Sequence, residues 1–580
     1  MSGDTVSDGF RNVGSAEDLH EAGRATITVD GRSIALFSHE GEIHAVDNRC
    51  PHMGFPLSQG SVDNGILTCH WHHARFELSC GSTFDPFADD VESFPVEVRD
   101  GEVWINPAPD GDHDPGARWA ERLEDGLEEN LRLVLAKSVI GLDDAGVDAV
   151  EPVWAIADFG TTYRDDGWGS GLTILAAMAN LLGDIRPEDR RRALYTGAVR
   201  VANECAGAPP RFVQEPFEDC SHDADRLDTW FRECVEVRDR RGAERVLRTA
   251  IRANHPPSIV IGMLVGAATD HRYLDTGHTM DFINKACELL DHVGWEHADQ
   301  VLPSLVPGLV TAQRSEERSS WRQPVDLVSI LDAAFESLPE SVPTEATWQP
   351  PDDFVATLLE DDPDAVIGAI EAAIDAGALP ETLAEQVCLA AARRVAQFST
   401  GNEFRDWNTV HHTYTYANAV QRLCQRTDAV STYRAVYDGA VNVYLDRFLN
   451  TPPASIPPLE SNDTVPNELR DSIFETFDEE GETDRAGRLV AQYLGAGGDI
   501  GSLKQVLAEG LLREDANFHT LQNVEVAFRQ ADLASTDETA AIHLIATARY
   551  LAAHTPTRRE AEQTFTIASR LHRGENIHET

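Results

Sequence analysis

The chain has 580 residues, 42% of them hydrophobic and 25% charged, with 48 Lys and Arg against 98 Asp and Glu and a formal charge of -50. The length accommodates several domains and the apolar content supports packed cores, which excludes wholesale disorder. The charge argues against nucleic acid or an anionic membrane as a partner.

Lys137, Lys285 and Lys504 are the lysines among mostly arginine cations. So acidic and lysine-poor a coat suits a salt-rich cytoplasm, where screening weakens self-repulsion. The start, MSGDTVSDGFRNV, has neither a basic nor an apolar leader region, and no apolar run reaches 18 residues. The expectation is a cytoplasmic chain without a transmembrane helix. Nine cysteines, mostly isolated in helical text, form no disulfide framework.

Up to Asn106 the text predicts strands. ATITV, SIALF, EIHAV, GILTC, FPVEV and EVWI are short and β-branched, and turn signals separate them at Asp30-Gly31, Glu40-Gly41, Asp63-Asn64-Gly65 and Asp100-Gly101. This predicts a small antiparallel domain over 1–106, followed by a Pro/Gly/Asp-rich linker over 107–118. From 119 the apolar period becomes helical: Trp119, Leu123, Leu127, Leu131 and Val134 open a pattern that persists to 580. The fold class is thus a small all-β domain followed by a large all-α bundle or solenoid, with breaks at 338–353 and 451–466 that would subdivide it.

Chemistry concentrates in CPHMGFPLSQGSVDNGILTCHWHH, residues 50–73. Cys50 and His52 form C-x-H, and Cys69 and His72 form C-x-x-H. Zinc is the first rival for two Cys and two His, yet zinc fingers usually pair like with like. One Cys and one His in each loop suits a [2Fe–2S] cluster in which each loop gives a thiolate to one iron and an imidazole to the other.

With the following ARFEL and FPVEVRDGEVWI, these residues resemble the Rieske family, in its ferredoxin and ring-hydroxylating-oxygenase form, over about residues 10–106. The resemblance implies that Cys50 and Cys69 bind one iron and His52 and His72 the other, with Gly54 and Pro56 in the tight first loop and Phe76 as the aromatic after the second. Respiratory Rieske proteins carry a further, disulfide-bonded cysteine in each loop; Phe55 and Trp71 stand at those positions. His73 stands where such proteins often have Gly. His70 and His73 are expected as loop residues, and Cys80 as a small buried one.

The helical region offers weaker signals. LLDHVGWEHAD spaces His292 and His297 as Rieske oxygenases space the histidines of a mononuclear iron site. Leu289 replaces their aspartate, however, and no strand-rich stretch follows residue 120. His255, His271, Asp275, His278, His411 and His412, with Tyr414 and Tyr416, fall at helix ends and form a candidate functional rim, which could hold an additional metal. There the wording HHTYTYANAV is faintly similar to questin-oxidase-like helical proteins. Gly167, Gly169 and Gly171 precede a helix without the strand or lysine of a nucleotide motif, and Cys234 is expected in a helix core. No flavin or nicotinamide signature is visible, so electrons would come from a separate reductase or ferredoxin. The expected function is single-electron transfer, with the helical domain as oxidoreductase or docking domain; the alternatives are a Rieske non-haem iron oxygenase and a non-enzymatic carrier.

Overall fold

The computed structural model describes residues 9–108, 114–218, 223–461, 463–575 and 577. Residues 1–8 of the N-terminus, 109–113 of the expected linker and Asn462 in the second break lie outside them. Two compact units make up the chain: Met1–Pro152 with Gln563–Thr580, and Val153–Glu562.

In the first unit all sheet pairing is antiparallel. Arg24–Val29, Arg32–His39, Glu42–Asp47 and Ser93–Phe94 form a four-stranded sheet; Arg11–Ser15, Glu102–Ile105 and Val96–Arg99 form a second; Ser61–Asp63, Ile66–Thr68 and Arg75–Glu77 form a third. Four two-residue hairpins close on Asp30-Gly31, Glu40-Gly41, Asn64-Gly65 and Asp100-Gly101, each with both residues at positive φ. That is the type I′ requirement, which matches strand twist.

Strand Arg32–His39 is buried on both faces. Ile34 and Leu36 enter one core cluster, with Leu19, Phe94, Val103 and Ile105; Ala35 and Phe37 enter the other, with Leu57, Leu67, Phe76 and both cysteines of the motif. Period-two alternation thus splits one apolar run between two cores. A helix at Ala16–Ala22 was not expected among these strands. Ser15 accepts from the Asp18 amide at 3.3 Å and Gly23 ends the helix at φ 75, a capping pair legible in GSAEDLHEAG.

The two cysteine loops have one backbone design. Arg49 bridges Pro56 around the first, and Thr68 pairs with Arg75 around the second. In the first, the Cys50 amide donates to Phe55 O at 2.9 Å and the Gly54 amide to Cys50 O at 2.7 Å; in the second, Cys69 donates to Ala74 O at 2.9 Å and His73 to Cys69 O at 3.1 Å. Gly54 and His73 therefore occupy equivalent positions, at φ +79 and +63. Glycine adopts that conformation freely, whereas an L side chain there is strained.

Two helices follow, Pro115–Glu128 and Arg132–Asp144. Buried Lys137 on the second lies 3.0 Å from the Asp89 carboxylate and donates to the Pro51 carbonyl, while Arg122 on the first reaches the other Asp89 oxygen at 3.0 Å. Burial raises the Asp89 pKa, but the charges of Lys137 and Arg122 outweigh it and hold the carboxyl below its ordinary value.

The second unit is helical, and both long breaks fall inside it. Within it Lys285 is fully buried between Glu288 at 2.7 Å and Glu525 at 2.6 Å. This joins helix His278–Val293 to helix Phe518–Leu533, and Asn180 donates to both carboxylates at 2.8 Å. Helix Trp407–Cys424 joins the second of these through Gln530, which donates to Asn418 at 2.9 Å and Gln421 at 2.7 Å. Among the described residues no helix is long and apolar enough to cross a membrane.

The paired loops predict opposite outcomes at equivalent positions. Gly54→Ala costs the first unit about 1 kcal/mol, since its Cβ would also meet Leu571 at 3.4 Å; His73→Gly gains roughly 0.5 kcal/mol, the relieved strain being partly offset by the freedom glycine adds to the unfolded chain. Urea unfolding midpoints of the two variants, moving in opposite directions, check this.

Candidate functional site

The loops bring Cys50, His52, Cys69 and His72 to one end of the first unit. Both cysteines are buried, at 2% and 1% exposure, and their sulfurs hydrogen-bond each other. That bond and burial push the Cys50 thiol well above its ordinary value, while accepting it brings Cys69 down to about 6. Each sulfur also accepts two backbone amides, from His52 and Met53 in the first loop and from Trp71 and His72 in the second. Amides aimed at sulfur stabilise a thiolate or a metal-bound sulfur.

The His52 and His72 rings stand edge to face, with centroids 4.8 Å apart. His52 is half-buried against Phe87, and burial, then the neighbouring His72 ring and the Lys137 cation, push it down to about 4. Its Nδ1 is buried without a hydrogen-bond partner, whereas buried ring nitrogens ordinarily find one. His72 is exposed beside Trp71, at 4.1 Å between centroids. Two buried sulfurs in amide cradles, an orphaned imidazole nitrogen and a second imidazole beside it fit a mixed Cys/His iron–sulfur centre in donor type.

Phe55 and Trp71, at the positions of the respiratory disulfide, pack 6.2 Å apart. His70 and His73 are exposed, and His70 hydrogen-bonds Ser61 Oγ at 3.0 Å. Cys80 differs from expectation: it is exposed and donates to Ser82 Oγ at 3.2 Å, because the turn after Glu77 carries it out of the core.

In the second unit the expected rim divides. His271 lies between Glu316 at 2.7 Å and Glu236 at 2.6 Å, which raise its pKa despite burial. His255 sits half-buried just before helix Pro257–Thr269. His278, by contrast, meets His412 and His519: one ring nitrogen from each lies within 4.8 Å of the others, and His412 Nε2 is 2.9 Å from His519 Nε2. Burial lowers all three pKa values, to about 2 for His412 and about 4 for His519, with neighbouring imidazoles contributing to those two. His411 is buried alongside, its ring 5.2 Å from His519, and its Nε2 has no partner.

His519 escaped the sequence reading. Its signal was positional: like His278 it stands in the first turn of a helix, after the Asn517 cap. Tyr414 bonds His543 at 2.7 Å and Tyr416 packs on Tyr273, so neither faces the three histidines. His412 also lines a cavity of about 500 Å³ with Tyr273, Thr276, Arg318, Trp321 and Asp446.

The oxygenase-like pair does not act as one. His292 bonds Asn180 Oδ1 at 2.8 Å, while His297 stacks on Trp154 with centroids 3.5 Å apart. Among the described residues strands end at Ile105. The glycine-rich turn is filled by the chain itself: Glu204 accepts from Gly171 N at 2.8 Å and from Ser170 Oγ, closing that helix start. Cys234 is half-buried because Leu227, Phe231 and Val235 take the inward face of its helix.

Residues 10–95 match the Rieske [2Fe-2S] domain. The chain is similar to the ferredoxin component of naphthalene 1,2-dioxygenase/salicylate 5-hydroxylase systems of a Ralstonia species, 31% identical over 90 residues, which is 15% of this chain and 86% of the relative. It is likewise similar to the ferredoxin component of the alkene monooxygenase system of Xanthobacter autotrophicus, 31% identical across 17% of this chain and 83% of the relative. Among solved structures, the ferredoxin of carbazole 1,9a-dioxygenase from Nocardioides aromaticivorans aligns at 22% identity, over 17% of this chain and 98% of its own, with a TM-score of 0.17. Through these N-terminal residues the chain belongs to the Rieske [2Fe–2S] family.

Proposed function

We propose that the first unit carries single electrons on a cluster held by Cys50 and Cys69 at one iron and His52 and His72 at the other. The observation that carries this reading is the convergence of two amide-cradled sulfurs and two imidazoles on the paired loops. When bound, a [2Fe–2S] cluster supplies reversible one-electron chemistry. The protein's part is electrostatic and steric. Amides of His52, Met53, Trp71 and His72 stabilise charge on sulfur, buried Lys137 places a cation against the His52 loop, and Phe55 with Trp71 shields the loops from water. Electrons enter and leave at the exposed His72 edge, beside Trp71, which is 40% exposed.

The donor in this reading is a separate reductase or ferredoxin, as befits a domain whose relatives are ferredoxin components of oxygenase systems. In this reading the carrier is the whole first unit, Met1–Pro152 with Gln563–Thr580, rather than residues 1–106 alone, and Val153–Glu562 is the part that uses the electrons in an oxidoreductase reaction, aided by an additional metal. The charge of -50 fits a salt-rich cytoplasm.

Two measurements test the carrier. Cys50→Ser and Cys69→Ser each abolish the visible and paramagnetic-resonance spectra of anaerobically purified, dithionite-reduced protein; an unchanged spectrum in either overturns the ligand assignment. Lys137→Met removes a buried positive charge from beside the loop, so it disfavours the reduced, more negative cluster. The reduction potential falls by something on the order of tens of millivolts in protein-film voltammetry. A rise, or no change, contradicts the role given to Lys137.

A further inference from the structure

We infer that His278, His412 and His519 bind one divalent first-row transition-metal ion whose remaining coordination positions take a small anionic ligand. The inference rests on the reading that the helical unit carries an additional metal, and adds which residues hold it and what completes it.

The geometry comes first. Three helices each contribute one imidazole: His278 opens helix His278–Val293, His412 lies in the second turn of helix Trp407–Cys424, and His519 is the second residue of helix Phe518–Leu533. Their nitrogens fall within 4.8 Å of one another and the closest pair is 2.9 Å apart. Bonds of ~2.0–2.1 Å at tetrahedral angles set nitrogens about 3.3 Å apart. Small side-chain rotations span that difference.

The backbone that delivers His278 is strained. Tyr273, Asp275 and Thr276 all have positive φ, at 41°, 49° and 58°, before Gly277 at 95°. Left-handed backbone costs an L residue on the order of 1–2 kcal/mol, and a β-branched threonine is a marked outlier there. The surroundings enforce it: Asp275 exchanges two hydrogen bonds with Gln313, at 3.0 and 2.7 Å, and the Tyr273 amide donates to buried Asp438 at 3.1 Å. A helix start needs none of this. What the strain achieves is a histidine in the first helical turn against His412, with Tyr273 and Thr276 in the wall of the cavity that His412 also lines. Strain of this kind concentrates at functional sites.

The three helices are held in place by buried polar ties. Lys285 with Glu288 and Glu525, and Gln522 with Asp281, join the helices of His278 and His519; Asn523 donates to His411 Nδ1 at 3.2 Å and joins the helix of His412. Positions fixed in this way suit a ligand set that must not drift.

The donor chemistry selects the ion. Three imidazoles suit zinc, copper, iron or nickel and are poor ligands for calcium or magnesium. They bring no negative charge, so a bound divalent ion keeps its full charge in a half-buried place. Two helix N-termini, at His278 and Phe518, add positive partial charge there. An anion in the open positions relieves both, and the cavity beside His412 gives it room.

The test uses the full chain, loaded with Co2+ and passed over chelating resin. Expected are the cluster's two irons and about one cobalt per chain, with cobalt ligand-field bands in the difference spectrum that azide shifts. His412→Gln and His519→Asn lose the cobalt and keep the irons and the helical circular dichroism, while His255→Gln keeps all three. His278→Ala, at a helix start, carries the same test should His412→Gln not fold. Cobalt retained in every one of these histidine variants overturns the ligand assignment and leaves an additional metal elsewhere in the helical unit standing. Wild-type chain that retains neither Co2+, Zn2+ nor Fe2+ beyond the cluster overturns both, and marks the three histidines as a hydrogen-bonded packing cluster. Bound cobalt indifferent to azide overturns the anionic ligand.

Discussion

A single buried carboxylate fixes the first unit. Asp89 is 6% exposed, and its two oxygens are shared between Lys137 and Arg122. Removing one partner of such a group leaves a charge uncompensated in low dielectric, typically at 3–5 kcal/mol. Lys137 is also bonded to the carbonyl of Pro51, inside the first cysteine loop. The ion pair therefore anchors the loop as well as the helices. The β scaffold is thus locked to helices supplied by residues 115–144, and a cation from one of those helices stands against the first cysteine loop.

What was legible in the sequence follows from how local the signal is. The hairpins were readable because Asp-Gly, Glu-Gly and Asn-Gly sit at positions requiring two positive φ values, a demand met within two residues. The strands were readable as short β-branched runs between those turns. The Rieske motif was readable because Cys50, His52, Cys69 and His72 lie close together in the chain and flank two turns. Helix Ala16–Ala22 was missed although its cap is local, since a seven-residue helix shows too few turns for periodicity to reveal it. Cys80 was misplaced because burial depends on which way a turn exits, and a spacing rule carries no such information.

The three histidines show the opposite limit. His412 and His519 are 107 residues apart, and no period or motif joins them. Of the rim expected at helix ends, the structure brings His278 and His412 together, and the expectation had no means to separate them from His271, which the structure commits to two glutamates. The backbone before His278 was equally hidden: DTG reads as an ordinary turn, and only the fold shows that Tyr273, Asp275 and Thr276 all adopt left-handed backbone.

The two sites differ in charge logic. On the paired loops, amide dipoles at both sulfurs and a buried lysine beside the first loop favour negative charge, which suits the cluster proposed there. At the three histidines neither carboxylate nor thiolate stands in the group, and in the site inferred above two helix N-termini favour a negative charge that comes from outside. The first arrangement is complete in itself and suits reversible uptake of an electron, which changes charge without changing composition. The second, in the metal-bound form inferred above, is incomplete until a small anion arrives, and in that it differs from the first.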